Sequence, residues 1–234
     1  RECAVLYMES GVKRDKLTDY IVDKAPPTVF YYPNFIDEQE ESSLLAEISG
    51  APKPKWDVLL NRRLINYGGI VGKKGLFAVD DFSPLIRCLM QSVDSFLSRP
   101  TNHALVNEYL PGQGILAHTD GPAFLPLIST VTLGSHCLLD FFSPIDPQES
   151  CSLESRRVGG LLLERRSLVV MTDQVYNLLH GIEGREEDEI DEKVWNGGDK
   201  KGQRMKRDTR ISITMRTVDK VSTRLTSSLL GIRH

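Results

Sequence analysis

The sequence is short of several features that would settle a class at once. It has four cysteines, Cys3, Cys88, Cys137 and Cys151, and no CxxC pair. That excludes a zinc ribbon or a dense disulfide framework and leaves free thiols in a reducing compartment as the expectation. Charge of one sign is lacking too: 29 Lys and Arg stand against 32 Asp and Glu, a net of −3. Bulk charge therefore provides no electrostatic footprint for a nucleic acid or an anionic membrane. No apolar run is long enough to span a bilayer, and the N-terminus lacks the basic-then-apolar order of a secretory signal. These absences lead to the expectation of a monomer in cytoplasm and nucleus with no membrane partner. There is no internal repeat.

What remains is an ordinary globular composition, 40% apolar and 26% charged over 234 residues, enough for one sizeable core. Residues 1–24 read as a flexible N-terminal tail, with Met8 as a natural start, and 25–234 as a single domain. Within it, 25–100 form a helical and lid-bearing extension. Thr28–Tyr32 is a strand; Asp37 caps a helix with Glu40 at the capping-box position; Ser83 and Pro84 open a second helix. Between the helices, residues 53–74 carry Lys53, Lys55, Arg62, Arg63, Lys73 and Lys74 against a single acid, Asp57.

Residues 101–220 change texture to short strands: His103–Leu110, Ile115–Thr119, Leu127–Leu133, Cys137–Phe142, Leu161–Glu164, Leu168–Met171, Tyr176–His180 and Arg210–Val218. Such a series after two helices predicts a mainly β fold with flanking helices, an antiparallel barrel or jelly roll with helices on one outer face. Residues 183–208 interrupt it with an acidic half and a basic half, which predicts a mobile surface loop.

The chemistry begins at His118-Thr119-Asp120. Two residues apart on an extended segment, the two side chains share a face, as adjacent metal ligands require. The triplet alone is weak evidence, and a third ligand is needed. His234 is terminal, and His103 and His136 read as ordinary surface, whereas His180 ends an apolar strand just before Gly181. Two histidines and a carboxylate suit non-haem Fe(II), and tetrahedral zinc as well. In Arg210-Ile-Ser212-Ile-Thr214-Met-Arg216 the polar residues alternate strictly onto one face. Two arginines framing two hydroxyls are what a small dicarboxylate needs, since guanidinium forks pair bidentately with carboxylates. Asn107 and Tyr109 form a second same-face polar pair. An iron triad beside a dicarboxylate pocket reads as a 2-oxoglutarate-dependent oxygenase.

Asn107-x-Tyr109-x-Pro111-Gly112, His118-x-Asp120, Arg166-Ser167-Leu168-Val169-Val170-Met171 with Tyr176, His180-Gly181-Ile182 and Arg210-x-Ser212-x-Thr214-x-Arg216 together resemble the AlkB family of Fe(II)/2-oxoglutarate dioxygenases. The order and spacing match over about residues 25–220. Ala25-Pro26-Pro27, Ala51-Pro52-Lys53-Pro54-Lys55-Trp56 and His118-Thr119-Asp120-Gly121-Pro122 resemble its sixth eukaryotic homologue subfamily. The resemblance implies a double-stranded β-helix (jelly roll, cupin-like) with His118, Asp120 and His180 as catalytic metal ligands. It further implies 2-oxoglutarate bound by Arg210 and Tyr109, with Asn107, Thr130 and Ser212 nearby and Arg216 at the keto-acid end. Fe(II), 2-oxoglutarate and O2 are the implied cofactors, and oxidative demethylation of N-methylated bases in RNA or DNA the implied reaction.

Two positions depart from the family pattern. Pro122 stands where base-repairing members carry an acid, and Ser212 where Asn is frequent. The first keeps a protein side chain open as an alternative substrate; a nucleic-acid-binding module with little catalysis is a further alternative. For a nucleic-acid substrate, Arg62, Arg63, Lys73 and Lys74 are the candidate phosphate contacts, Lys200–Arg207 a second basic arm, and Tyr67 a platform for a flipped base. Trp56 reads as a core anchor.

Overall fold

Period-two runs and β-branched residues become strands in the computed structural model, which describes residues 16–73, 75–144 and 152–222. In chain order the elements are β1 (Val29–Tyr32), α1 (Glu38–Ser49), β2 (Asp57–Leu59), β3 (Arg62–Tyr67), β4 (Gly69–Gly72), β5 (Gly75–Ala78), α2 (Pro84–Leu97) and β6 (His103–Tyr109). They continue with β7 (Ile115–His118), β8 (Leu127–Leu133), β9 (Cys137–Phe142), β10 (Arg157–Leu163), β11 (Leu168–Thr172), α3 (Asp173–Tyr176), β12 (Leu179–Ile182), β13 (Glu187–Glu189), β14 (Arg204–Lys206) and β15 (Arg210–Arg216).

Two antiparallel sheets face each other. The major one runs β1-β11-β8-β15-β6-β3-β2 and the minor one β10-β9-β12-β7. Ile128, Val169, Leu139, Phe141 and Leu161 fill the space between them. On the outer face of the major sheet, Leu44 and Ile48 of α1 and Ile86, Leu89 and Val93 of α2 pack on Ile65, Val106, Val131 and Ile213. This is a double-stranded β-helix with its helices on one side, as the strand spacing predicts. Both faces of the major sheet are therefore covered, so the polar side of β15 is not a solvated back: Arg210 is 3% exposed and Ser212 3%.

Local chemistry sets the helix starts. The Asp37 carboxylate accepts from the Glu40 amide at 2.8 Å while Glu40 accepts from the Asp37 amide at 2.8 Å, a reciprocal cap worth about 1 kcal/mol. At the second helix Ser83 makes no capping bond of its own; its hydroxyl donates to Glu47 of α1 at 2.7 Å and ties the two helices together.

Several expectations are corrected. The end of the predicted tail is anchored at two residues: Tyr20 stacks on Tyr32 at 3.8 Å between centroids, and Val22 is buried. The 53–73 stretch contains strands, because β2 and β3 extend the major sheet beyond β6; its basic residues hide the alternation that Ile65 and Tyr67 carry. The segment expected as a strand over Tyr176–His180 begins as the short helix α3, and the strand falls at Leu179–Ile182.

The 183–208 insertion is a hairpin, β13 paired with β14, rather than a mobile loop. Ile190 and Val194 are fully buried against Leu138 and Leu162. Its two charge blocks face each other across the hairpin, which makes them cohesive rather than solvated. His103 is 2% exposed, not surface. Cys137 is a buried free thiol whereas Cys88 is disulfide-bonded; spacing along the chain does not reveal which sulfurs a fold brings together. His234, Lys74, Cys3 and Cys151 lie outside the described residues. No described helix is long and apolar enough to cross a membrane.

Candidate active site

The inner face of the double sheet encloses a cavity of about 250 Å³. Its lining includes His118, Asp120 and His180 from the minor-sheet side and Asn107, Tyr109, Thr130, Arg210, Ser212 and Arg216 from the major sheet. Every metal and 2-oxoglutarate residue expected from the sequence thus meets in one place.

Strand register explains the meeting. His118 and His180 are directly opposed on β7 and β12, and their rings lie 4.7 Å apart. Gly181 lets the two strands approach: a Cβ there would sit 2.9 Å from the Ala117 nitrogen. His118 Nδ1 lies 2.8 Å from the Leu116 carbonyl, an arrangement that leaves Nε2 available to a metal. His180 Nε2 lies 3.5 Å from Asp120 Oδ2. Burial pushes the His180 imidazole down to about 4, against the pull of Asp120, so it is neutral and able to donate a lone pair at physiological pH.

Among the described residues no group of three such donors stands at coordination spacing; Asp120 Oδ1 is taken by Arg216 at 2.7 Å. The donor set nonetheless fits Fe(II): two imidazoles and one carboxyl group line a single pocket wall.

The opposite wall carries the paired arginine, phenol, amide and hydroxyl groups. Arg210 pairs in register with Tyr109, and Ser212 with Asn107. Arg210 is held by a 2.9 Å bond to the Thr132 hydroxyl, and its buried Nε has no partner. Burial raises the Tyr109 phenol despite nearby Arg210 and Arg62, so it stays a hydrogen-bond donor. Thr130 and Thr214 share a hydroxyl–hydroxyl bond at 3.1 Å. Arg216 lies over the Phe124 ring at 4.7 Å, and burial lowers its guanidinium from the usual value.

The expected substrate residues scatter. Arg62 lines the cavity and donates to Asn107 at 3.1 Å. Arg63 points to the other face of β3, bonded to Glu108 at 2.7 Å through two nitrogens and stacked on Trp56. Tyr67 is 3% exposed in the helix-side core, parallel to Phe82, and so cannot be a base platform. Period-two alternation sends 63, 65 and 67 away from the cavity that Arg62 faces. Lys73 is exposed in the turn after β4. The Lys200–Arg207 arm is spent internally, with Lys200 on Glu164, Lys201 on Glu192 and Arg207 on Asp188. Trp56 is buried as expected.

Three contributors escape sequence reading. Thr132 braces Arg210. The Tyr176 hydroxyl donates to the Gly121 and Phe124 carbonyls, each at 3.2 Å, and fastens the turn that follows Asp120. His103 shares the inner face of β6 with Asn107 and pairs in register with Arg216. The period-two pattern points to Thr132 and His103; Tyr176 stands among the motif residues quoted above, but with no role attached to it.

A β-helix with two histidines and an aspartate on one wall and buried arginines on the other defines a non-haem iron oxygenase class. No protein-family model matches the chain. A zebrafish (Danio rerio) protein named "Probable RNA/DNA demethylase ALKBH6" is 44% identical over 214 residues, covering 88% of this chain and 92% of that protein. The chain belongs to the AlkB family of Fe(II)- and 2-oxoglutarate-dependent dioxygenases, in its sixth eukaryotic homologue subfamily. Two solved structures share the fold. One, described as "The structure of OsALKBH1", has a TM-score of 0.54 at 12% identity, covering 82% of this chain and 98% of that one. The other, a 2OG-Fe(II) oxygenase family oxidoreductase from Burkholderia pseudomallei, has a TM-score of 0.55 at 10% identity, covering 91% of this chain and 95% of that one.

Proposed function

We propose that this chain is an oxidative demethylase of N-methylated bases in RNA or DNA, with His118, Asp120 and His180 holding Fe(II). Arg210 and Tyr109 bind the distal carboxylate of 2-oxoglutarate, with Asn107, Thr130 and Ser212 beside it and Arg216 at the keto-acid end. Bound together, Fe(II), 2-oxoglutarate and O2 supply oxidation of an N-methyl carbon, giving succinate, CO2 and a hydroxymethyl base that loses formaldehyde.

The protein's own contribution is position and exclusion. The Arg210 guanidinium and the neutral Tyr109 phenol orient the cosubstrate with charge-assisted and neutral hydrogen bonds. The apolar walls of Leu139, Leu163 and Val169 limit water in the cavity. Arg62, at the cavity and joined to Asn107, is the basic residue best placed for a substrate phosphate. The single observation that supports the reading most is the convergence of the HxD…H set and the Arg210–Tyr109 pair on one cavity. The name of the zebrafish relative supports a nucleic-acid substrate.

Incubation with Fe(II), 2-oxoglutarate and a panel of methylated RNA and DNA oligonucleotides tests it. Formaldehyde is expected together with loss of one methylated base. No formaldehyde above buffer and an unchanged base composition across the panel would remove the proposal.

A further inference from the structure

Four aromatic rings form a row along the inner face of the minor sheet. His118 and His180 are 4.7 Å apart, His180 and Phe141 6.3 Å, and Phe141 and Trp195 5.1 Å with 29° between ring planes. The first three belong to strands of that sheet, and Phe141 is the register partner of His180. Trp195 does not: it comes from the 183–208 insertion.

Its place is prepared by a glycine. A Cβ on Gly159 would lie 2.3 Å from the indole ring, so the ring occupies the space a side chain of β10 would fill. Backbone bonds lock it there: the Trp195 amide donates to the Gly160 carbonyl at 2.9 Å, and the Gly160 amide to the Lys193 carbonyl at 3.1 Å. Next along, the Asn196 amide group bonds both the nitrogen and the carbonyl of Leu162, at 2.8 and 2.9 Å. The insertion thus covers the free edge of β10 and sends one flat ring inward.

From this we infer that Trp195 is a positioning residue for His180, acting through Phe141. The inference rests on the reading of His118, Asp120 and His180 as the metal ligands. Phe141 is fully buried between the indole and the imidazole, and a close-packed interior transmits the loss of a neighbour. Removing the indole opens a void beside Phe141; the ring shifts toward it, and the imidazole at the register partner loses its lateral support. A residue that orients a ligand from behind commonly governs metal affinity by 10–100-fold; support through one intervening ring belongs at the low end, about tenfold.

Co(II) titration of the full chain, followed by its visible ligand-field bands, tests this. Trp195→Ala is expected to weaken Co(II) binding about tenfold and to alter the band shape, and Trp195→Phe, which keeps a flat ring, to restore both. If Trp195→Ala fails to fold, Gly159→Ala serves instead: it keeps the indole but drives it off its seat, and the same loss is expected. Lys201→Ala, which removes the Lys201–Glu192 ion pair on the same insertion, is expected to bind as wild type.

Wild-type affinity and spectrum in Trp195→Ala or Gly159→Ala would overturn the inference. So would a Trp195→Phe variant as weak as Trp195→Ala, or a Lys201→Ala variant equally weakened. Should His180→Ala bind Co(II) as well as wild type, the assignment of the metal site itself fails, whatever the Trp195 variants do.

Discussion

In the 183–208 hairpin Arg207 grips Asp188 with two bonds, Nε to Oδ2 at 2.8 Å and a terminal nitrogen to Oδ1 at 2.7 Å; in the cavity Arg216 reaches Asp120 with a single 2.7 Å contact. Asp188 also accepts from Arg185 at 3.0 Å and from the Leu138 amide at 3.2 Å, and Arg207 donates to the Glu183 carbonyl at 2.7 Å. Among the described residues nothing comparable completes the second pair. Arg216 has a buried Nε without a partner, and the second oxygen of Asp120 faces His180 at 3.5 Å.

Both pairs are out of water, and burying charge is tolerated only where geometry and further hydrogen bonds compensate it. The hairpin pair meets that condition within the protein and holds structure together. The cavity pair meets it only in part within the protein, which fits groups that also contact a ligand.

That contrast is open to attack at graded strength. The largest stability effect is expected from Asp188→Ala, which leaves Arg207 buried without its partner; about 3–5 kcal/mol should be lost, read as a lower denaturant midpoint. Next comes Arg210→Met, which removes a charge-assisted contact to a dicarboxylate worth about 1.5–3 kcal/mol. KM for 2-oxoglutarate should rise roughly ten- to a hundredfold, with a much smaller change in melting temperature.

Acid pH provides a subtler separation. His103 is held down to about 4, by burial first and by Arg216 second. Its folded pKa thus lies below the unfolded value of about 6.5, so its contribution is complete above that pH and is lost as pH falls from about 6.5 toward 4. His103→Phe should flatten stability across that window. Asp188 is also depressed, its hydrogen bonds with Arg207 and the nearby Arg185 outweighing the burial that raises it. Its share therefore persists above the unfolded carboxylate value of about 3.9 and disappears as pH falls through the folded one. Melting curves of the two variants against pH should separate these windows. The smallest effect is expected at Arg63→Ala: its pair with Glu108 is partly exposed, and about 0–1 kcal/mol is at stake. Turnover should fall less than in Arg62→Ala, since only Arg62 lines the cavity.

The cavity was far more legible in the sequence than the hairpin. His118-x-Asp120 and the Arg210–Arg216 alternation announce themselves because period two places whole sets of side chains on one face, and the strand bounds Leu127–Leu133 and Cys137–Phe142 match the observed ones. The hairpin is hidden because composition cannot tell charges that meet across a turn from charges that meet water; Asp188, fully buried among arginines, looks locally like any acid in an acidic run. Tyr67 and Arg63 depart from their expected roles for a related reason: the basic residues of β3 mask its strand pattern, and with it the alternation that turns both side chains away from the cavity. The reach of Tyr176 back to residues 121–124 is a long-range contact that no local pattern encodes.

The most direct test compares Asp120→Asn and Asp188→Asn in one assay, 2-oxoglutarate-dependent formaldehyde release from a methylated oligonucleotide per folded molecule, below the melting temperature of each. Asp188→Asn should turn over as wild type despite its lost stability, and Asp120→Asn should release no formaldehyde. Turnover by Asp120→Asn, or silence from a folded Asp188→Asn, would contradict the division between a pair that holds the fold and a pair that serves the site.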